Sequence, residues 1–332
     1  MPGVRRILLL ACLAMLVGCA PGYMLPGPTV TTATLESREL VTADGLRLPM
    51  RVWTPETQPR AVVLALHGFN DYSAAFEMPA RHWAGHGVAT YAYDQRGFGD
   101  APNRGFWAGA EAYARDAATA LRLVRSRHPD APIFLLGESM GGAIAMVTMT
   151  GQSVPAVDGV ILVAPAVWGR TTMGFTKRWA LSLVSTTMPW LTLSGGGLGF
   201  RPSDNETMLR DFSRDPRVIK DTRADTIRGL VDLMDAALAA ASRFRTRALV
   251  LYGEKDQIVP KAPTALMLSR LPGAADRQRV ALYPEGWHML LRDLQAETVW
   301  NDVLAWIGDP LTPLPSGADR AARRRLQEQA TS

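Results

Sequence analysis

The chain has 332 residues, of which 47% are hydrophobic, so it is long enough to bury one large core or two smaller ones. Its formal net charge of +5 is small for this length, and the arginines are dispersed except near the C-terminus. This balance excludes the concentrated basic surface of a nucleic-acid-binding protein and gives no reason to expect a polyanionic partner.

Residues 1–18 have the features of an export signal. Arg5 and Arg6 precede the apolar run 7–17, which is too short to cross a bilayer core of about 30 Å, and Gly18 precedes Cys19. Small residues before a cysteine resemble the lipobox of bacterial lipoproteins, in which cleavage precedes the cysteine and its sulfur receives a diacylglycerol. We therefore expect a lipid anchor on Cys19, with an ordinary secretory signal or an uncleaved anchor as alternatives. The residue after Cys19 is Ala20 and not aspartate, and in this the chain resembles lipoproteins that are sent to the bacterial outer membrane. We therefore expect the protein to face the periplasm from that membrane.

Cleavage before Cys19 would leave a mature chain with no free thiol, because the other cysteine, Cys12, lies within the signal. A disulfide framework, a cysteine nucleophile and a thiolate metal site are then excluded. Residues 19–35 are rich in proline, glycine and small polar residues, a composition that predicts a disordered tether.

Strands and helices alternate through most of the remaining chain. Segments 39–42 and 46–53 flank Ala43-Asp44-Gly45 and predict a hairpin at the edge of a sheet. The later strands are almost continuously apolar, as expected of a mostly parallel sheet with helices on both faces. These strands are predicted at 61–66, 87–93, 133–136, 159–164, 248–252 and 279–283, and helices at 110–127, 141–150, 262–271 and 291–307. The sequence therefore predicts an α/β core formed by residues 36–164 and 247–308.

Residues 165–246 interrupt this alternation after the sixth predicted strand. They contain helical stretches, no strand predicted to be buried, and a glycine-rich break at 194–197. Because open α/β sheets bind ligands at the carboxyl ends of their strands, we expect this insertion to form a helical cap over that edge. Within it, Phe175, Trp179 and Leu183 share one helical face. Lining an acyl-chain channel, entering a bilayer and packing on the domain beneath are all open interpretations of this face.

The last segment, 309–332, contains several prolines and then the basic residues Arg320, Arg323, Arg324 and Arg325. This composition predicts a disordered basic tail. A solvated charge cluster is the simpler interpretation of its arginines, and contact with anionic lipid head groups is the other.

The strand at 133–136 ends in Gly137-Glu138-Ser139-Met140-Gly141 and passes directly into a helix. A strand, this glycine spacing and a helix together indicate a nucleophile elbow, which raises a serine hydroxyl above the sheet edge. The two glycines permit the tight turn, while the serine adopts an unfavourable backbone geometry. We predict Ser139 as the nucleophile; a serine that only caps the helix is the alternative.

A serine hydroxyl needs a base that a carboxylate orients. Of the five histidines, only His288 follows the last predicted strand, so its loop opens at the same sheet edge as Ser139. Asp256 follows a buried strand and lies between serine and histidine in chain order, as proteins with this elbow require. Glu254 is less well placed. We predict that Asp256 orients His288; a role as a helix cap is the alternative for Asp256.

The negative charge that develops on an attacked carbonyl needs two preorganised donors. The backbone N–H of Met140 begins the helix after the nucleophile, where the helix dipole also favours an anion. The backbone N–H of Phe69 follows His67-Gly68 at the end of a neighbouring strand, where a glycine permits close approach of the backbone to a ligand. We predict that these two groups form the oxyanion hole.

These motifs resemble those of the monoacylglycerol lipase and lysophospholipase branch of the α/β-hydrolase fold. The resemblance spans residues 36–307 and is carried by His67-Gly68-Phe69 and Gly286-Trp287-His288 and by residues 93–99, 137–142 and 252–256. It implies hydrolysis of lipid carboxylic esters through an acyl-enzyme. It also implies that the enzyme uses no metal or organic cofactor and is a monomer or a loose oligomer.

Two other functions stay open. Aminopeptidase-like serine hydrolases of the same fold share the triad, but they need carboxylates near the site to hold the ammonium group of the substrate. A non-catalytic envelope binding protein on a hydrolase scaffold is the other alternative, and the presence of every triad residue type argues against it. Asn70-Asp71 stands where acylglycerol lipases of this branch commonly have a second glycine, so the resemblance does not specify acyl length or head group.

Overall fold

The structure is a computed structural model that describes residues 21–195, 199–272 and 277–331, with side chains as far as residue 325. Cys19, the signal segment and part of the glycine-rich break at 194–197 therefore lie outside the described residues. No helix in the described ranges is long and apolar enough to cross a membrane.

The strands fall into a large central sheet and a small one. In chain order they are β1 (Thr34–Leu35), β2 (Glu39–Val41), β3 (Arg47–Trp53), β4 (Ala61–Leu66), β5 (Val88–Tyr93), β6 (Ile133–Glu138), β7 (Gly159–Val163), β8 (Thr192–Ser194), β9 (Asp221–Arg223), β10 (Ala248–Gly253) and β11 (Gln278–Tyr283). The large sheet has the order β1-β2-β3-β5-β4-β6-β7-β10-β11, and β8 pairs with β9. The first three strands are antiparallel and the rest of the large sheet is parallel.

Helices cover both faces of this sheet. They are α1 (Glu77–Gly85), α2 (Ala110–Arg127), α3 (Met140–Met149), α4 (Phe175–Thr187), α5 (Glu206–Arg214), α6 (Ala224–Ala240), α7 (Lys261–Arg270), α8 (Ala296–Gly308) and α9 (Ala318–Thr331). Residues of α2, α3 and α6 pack on one face of the sheet, and residues of α1 and α8 pack on the other. Every residue of β4, β5 and β6 is buried, which explains their continuous apolar sequences. The predicted α/β architecture is confirmed.

The insertion differs in detail from its prediction. It follows the seventh strand, because the short β1 precedes the predicted hairpin. It also contains β8 and β9, whose residues are largely exposed and therefore lack the apolar pattern of a buried strand. The predicted last core helix begins at Ala296 instead of residue 291, because residues 291–295 form turns beside the site.

The prediction of a disordered tether is wrong for residues 21–35. The N–H of Met24 donates to the carbonyl of Trp107 at 2.8 Å, and that of Val30 donates to Ala43 at 2.8 Å. Residues 34–35 form β1, which pairs with β2. This segment buries little apolar surface of its own, but its backbone groups find partners on the folded core, and composition does not show such partners.

The prediction of a disordered basic tail is also wrong in the described residues. Leu314, Ala318 and Ala322 are buried, and the last two lie on helix α9, which packs against β11. Arg325 on the same helix pairs with Glu254. Apolar residues spaced one helical turn apart form a single face, and that face is sufficient to pack a helix whose other faces are charged. The overall composition of the tail did not reveal this face.

Candidate active site

The serine predicted as the nucleophile stands on a strained turn between β6 and α3. Ser139 has a positive φ of 53°, a conformation that is rare for residues other than glycine. A side chain at Gly137 would collide with the backbone of Gly141, and one at Gly141 would collide with the carbonyl of Leu66. The glycines on either side are therefore required by the close approach of strand and helix, as in a nucleophile elbow.

A buried histidine and carboxylate lie at the ends of the neighbouring strands. Asp256 follows β10 and His288 follows β11, and the imidazole Nδ1 lies 2.8 Å from Asp256 Oδ2. The other carboxylate oxygen accepts the backbone N–H groups of Ile258 at 2.7 Å and Val259 at 2.9 Å. These bonds hold the carboxylate in place, so that it fixes the orientation of the ring.

The charges around His288 set its protonation. Burial alone lowers the pKa of this histidine, but the charge of Asp256, its hydrogen bond and the charge of Glu138 together raise the pKa above its ordinary value. Arg292 opposes them in part. The ring is consequently a stronger base than an isolated histidine.

Ser139 and His288 line the same cavity of about 630 Å³. Its remaining lining is mostly apolar and includes Trp168, Met173, Phe200, Leu230, Met234 and Ile258. Within the described residues, the Ser139 hydroxyl makes no hydrogen bond. Hydrogen bonds between a catalytic serine and its histidine are often long before substrate binds and shorten in the complex. The arrangement is therefore compatible with proton transfer from Ser139 to His288.

Two backbone donors beside the nucleophile are unpaired. The N–H groups of Phe69 and Met140 have no acceptor in the ranges that the structure describes. Gly68 brings the first of these segments close to the elbow, since a Cβ at this position would lie 3.5 Å from that of Ser139. The predicted oxyanion donors are thus near the nucleophile and free to donate to a ligand oxygen.

A buried ion network that lines the same cavity as the serine was not predicted from the sequence. Arg292 donates to Asp71 at 2.6 Å and to Glu138 at 3.3 Å, and all three side chains are buried beside the cavity. Burial raises the pKa of Glu138, and the positive charge of Arg292 opposes this change. The three residues are far apart in sequence, so no local motif indicates that they meet.

A second unpredicted feature is the attachment of the histidine loop to the cap. The Ser203 hydroxyl donates to Asp293 at 2.6 Å, and the other oxygen of that carboxylate accepts the N–H of Trp287 at 2.7 Å. The N–H of Met289 donates to the carbonyl of Pro202 at 2.9 Å. Burial raises the pKa of Asp293 to about 6. The cap therefore helps to hold the loop that carries His288.

The three cap residues predicted from helical spacing lie elsewhere. Phe175, Trp179 and Leu183 are 72%, 59% and 44% exposed, so they do not pack on the domain beneath. Nor do they line the cavity, whose cap residues include Trp168, Met173 and Phe200. Of the three interpretations of this face, packing and channel lining are excluded by its position.

Comparison with known proteins gives concordant matches. The family described as "Serine aminopeptidase, S33" (Hydrolase_4) matches residues 57–295. Monoacylglycerol lipase of Mycolicibacterium smegmatis is 26% identical over 305 residues, which cover 84% of this chain and 99% of that protein. Monoglyceride lipase of Homo sapiens is 26% identical over 274 residues, which cover 81% of this chain and 89% of that protein.

A solved structure supports the same fold. A soluble variant of monoglyceride lipase from Saccharomyces cerevisiae, in complex with a substrate analog, superimposes with a TM-score of 0.70 at 20% identity. The match covers 88% of this chain and 100% of the yeast chain. The predicted α/β-hydrolase fold is confirmed by this likeness, and the family match extends over most of the core and the whole cap. The chain therefore belongs to the serine aminopeptidase S33 (Hydrolase_4) family of α/β-hydrolases.

Proposed function

We propose that this protein is a serine hydrolase that cleaves carboxylic esters of lipids, of the monoacylglycerol or lysophospholipid type, through an acyl-enzyme. The observation that carries the proposal is the positive-φ Ser139 in one apolar cavity with a buried, carboxylate-oriented His288. The similarity to monoacylglycerol and monoglyceride lipases supports a lipid ester as the substrate.

The mechanism follows from the positions of these groups. His288 removes the hydroxyl proton of Ser139, and the serine oxygen attacks the ester carbonyl. The N–H groups of Phe69 and Met140 stabilise the oxyanion; loss of one such donor typically costs about 2.7–4 kcal/mol of transition-state stabilisation. The protonated His288, held by Asp256, donates its proton to the leaving alcohol. Water, activated by the same histidine, then releases the fatty acid.

The apolar lining favours a long acyl chain over a small polar acid. A cavity of about 630 Å³ lies within the range of pockets that bury most of a ligand of drug size, about 300–1,000 Å³. A panel of esters of graded chain length, assayed with and without detergent micelles, would measure this preference. A sharp preference for short soluble esters would contradict the lipid assignment.

Replacement of the nucleophile is the direct test of the chemistry. Ser139→Ala is expected to lower kcat by about 10⁴-fold or more, since the attacking oxygen is lost, while the fold is retained. Labelling by a fluorophosphonate should disappear in the same variant. Ser126→Ala, an exposed serine on α2, serves as the control and should keep both activity and labelling.

Retention of wild-type esterase activity in Ser139→Ala would show that the mechanism is wrong. Absence of fluorophosphonate labelling in the wild-type protein would instead favour the non-catalytic binding protein.

Aminopeptidase activity is the second candidate, because the family description names that reaction. Two carboxylates, Asp71 and Glu138, do line the cavity. Both are paired with Arg292, however, so a substrate ammonium group would have to compete with this guanidinium for either carboxylate. We therefore expect nitrophenyl esters to be cleaved in strong preference to aminoacyl arylamides, and the reverse order would favour the peptidase.

We further propose that the protein is a lipoprotein of the bacterial outer membrane, anchored through Cys19 and facing the periplasm. The sequence around Cys19 and the absence of any other cysteine from the mature chain support this location. Globomycin, which blocks lipoprotein signal cleavage, should cause an unprocessed precursor to accumulate. A mature form unaffected by globomycin would indicate a different signal.

A further inference from the structure

The turn that presents one of the oxyanion donors has an asparagine in an uncommon conformation. The N–H of Asp71 donates to the carbonyl of Gly68 at 3.3 Å and closes a turn with Phe69 and Asn70 at its centre. Asn70 has a positive φ of 64°, which glycine and asparagine adopt most readily at the third position of a turn. The direction of the Phe69 N–H therefore depends on how firmly this turn is held.

The backbone conformation alone does not account for an asparagine at this position. Glycine would adopt the same φ without strain. The amide of Asn70 is also unfavourable in one respect, because its Oδ1 is buried and has no hydrogen-bond partner among the described residues. A buried oxygen without a partner lowers stability, so the reason for the amide lies in the bond that its nitrogen makes.

That bond ties the turn to the cap. The Nδ2 of Asn70 donates to the hydroxyl of Thr222 at 2.7 Å, and the carbonyl of Asn70 accepts the N–H of Ile219 at 3.0 Å. Thr222 is buried on β9, which pairs with β8 of the cap. Asn70 and Thr222 are 152 residues apart in the chain, so this contact exists only in the folded cap.

The two residues that follow Asn70 are held as well. The carboxylate of Asp71 accepts a bond from Arg292 of the core at 2.6 Å. The Tyr72 hydroxyl donates to Asp215 of the cap, also at 2.6 Å. The turn is therefore fixed between the core on one side and the cap on the other, and Asn70 forms the cap contact nearest to the oxyanion donor.

We propose that Asn70 is a positioning residue, which fixes the Phe69 oxyanion donor by tying its turn to Thr222 in the cap. The inference rests on the proposed serine esterase function. Loss of the tie leaves the triad and both donors in the protein, but it allows the Phe69 N–H to turn away from the developing oxyanion. A displacement of about 1 Å in an active site can cost about 10²-fold in rate, so a loosened donor should lower kcat about tenfold. Because the donor acts mainly in the transition state, KM should change little.

Two substitutions remove the tie from opposite sides. Asn70→Gly retains the positive φ and loses the amide, whereas Thr222→Val retains a side chain of similar shape and loses the hydroxyl. Each variant should lower kcat for a short soluble ester about tenfold, with KM within about twofold of the wild-type value. The double variant should be no slower than the slower single variant, because both substitutions remove the same bond. Effects that multiply in the double variant would overturn the proposal.

Asn103→Gly is the matched control. Asn103 also has a positive φ, of 61°, but it is exposed, and its side chain makes no hydrogen bond within the described ranges. This variant should keep the wild-type kcat and KM. A loss of kcat equal to that of Asn70→Gly would assign the effect to a general loosening of the chain and would contradict a specific role for Asn70.

A transition-state analogue separates positioning from damage to the pocket. An alkylboronic acid forms a tetrahedral adduct with a serine nucleophile and places an oxygen where the oxyanion develops. Its inhibition constant should rise about tenfold in Asn70→Gly, in parallel with the loss of kcat. The ether analogue of the ester has no carbonyl oxygen, so its inhibition constant should stay within about twofold of the wild-type value. Equal loss of affinity for both compounds would indicate a distorted pocket and reject the positioning role.

The use of a soluble ester keeps this test independent of the identity of the lipid. A wild-type protein that cleaves no carboxylic ester would reject the proposed function, and this inference with it. A wild-type protein that cleaves the ester, together with an equally active Asn70→Gly variant, would leave the proposed function intact and reject the positioning role alone.

Discussion

The base strength of His288 depends on residues from several segments of the chain. Asp256 orients the ring, and its charge, together with that of Glu138, raises the pKa of His288 against the effect of burial. Arg292 binds Glu138 and Asp71, and its positive charge lowers the pKa of His288 in part. The sequence identified the histidine and its aspartate because both follow strands, but it gave no sign of Arg292, whose partners are distant in the chain.

The pH dependence of the reaction should report this arrangement. General-base catalysis needs neutral His288, so kcat/KM should rise with pH through a pKa above the ordinary histidine value of 6.5. Glu138→Gln removes a negative charge that favours the protonated ring, so the acid limb should move to lower pH. The measurement is kcat/KM for a soluble ester across the pH range.

Glu285→Gln is the matched control. Glu285 is an exposed residue in the loop that carries His288, and its carboxylate pairs with Lys255. Its acid limb should coincide with that of the wild type. A shift of the Glu138→Gln limb to higher pH would show that Glu138 does not act on His288 through its charge.

At the scale of elements, the elbow is the feature that sequence reasoning located best. The pattern of glycines around Ser139 is local, and the strand and helix beside it are strongly apolar, so a short stretch contains all the information needed. The cap was harder, because β8 and β9 are short and exposed and the lining of the cavity comes from several distant segments. Spacing on one helix identified an apolar face but not what it faces.

Two glycine substitutions test the packing of the elbow. In Gly141→Ala the new Cβ meets the carbonyl of Leu66, a backbone atom that cannot move aside, so unfolding free energy should fall by about 3 kcal/mol or more. In Gly85→Ala, at the end of α1, the Cβ meets nothing within 4 Å, so stability should be unchanged or higher by about 0.4–1 kcal/mol. Urea denaturation measures both, and equal effects would contradict the close approach described for the elbow.

At the scale of the whole molecule, both ends of the described chain are attached to the core. The segment after Pro21 bonds to the cap base and to the sheet edge, and α9 packs on β11 at the other end of the sheet. Each attachment depends on a few residues within a stretch of otherwise polar composition. At the C-terminal end, for example, these include the buried residues Leu314 and Ala322. Composition averaged over such a stretch predicts disorder and misses these groups.

Neighbouring leucines provide a test of the C-terminal attachment. Leu314 is 1% exposed and Leu311 is 61% exposed. Leu314→Ala should therefore lower the free energy of unfolding by about 2–5 kcal/mol, as expected for a buried leucine. Leu311→Ala should change it by less than about 0.5 kcal/mol. A small effect at both positions in thermal or urea denaturation would mean that the C-terminal segment is not attached in solution.

The sequence by itself determined the α/β core and singled out Ser139, Asp256 and His288, because strands, helices and the residues that follow them depend on local periodicity and turn chemistry. Only the tertiary structure decided that Arg292 pairs with Glu138 beside the nucleophile and that both ends of the described chain pack on the core. It also decided that the apolar face of α4 points outward. The physical reason is the same for each feature, because all of them depend on contacts between segments that are distant in the chain. The free energy of such a contact depends on both segments and cannot be inferred from the composition of either one alone.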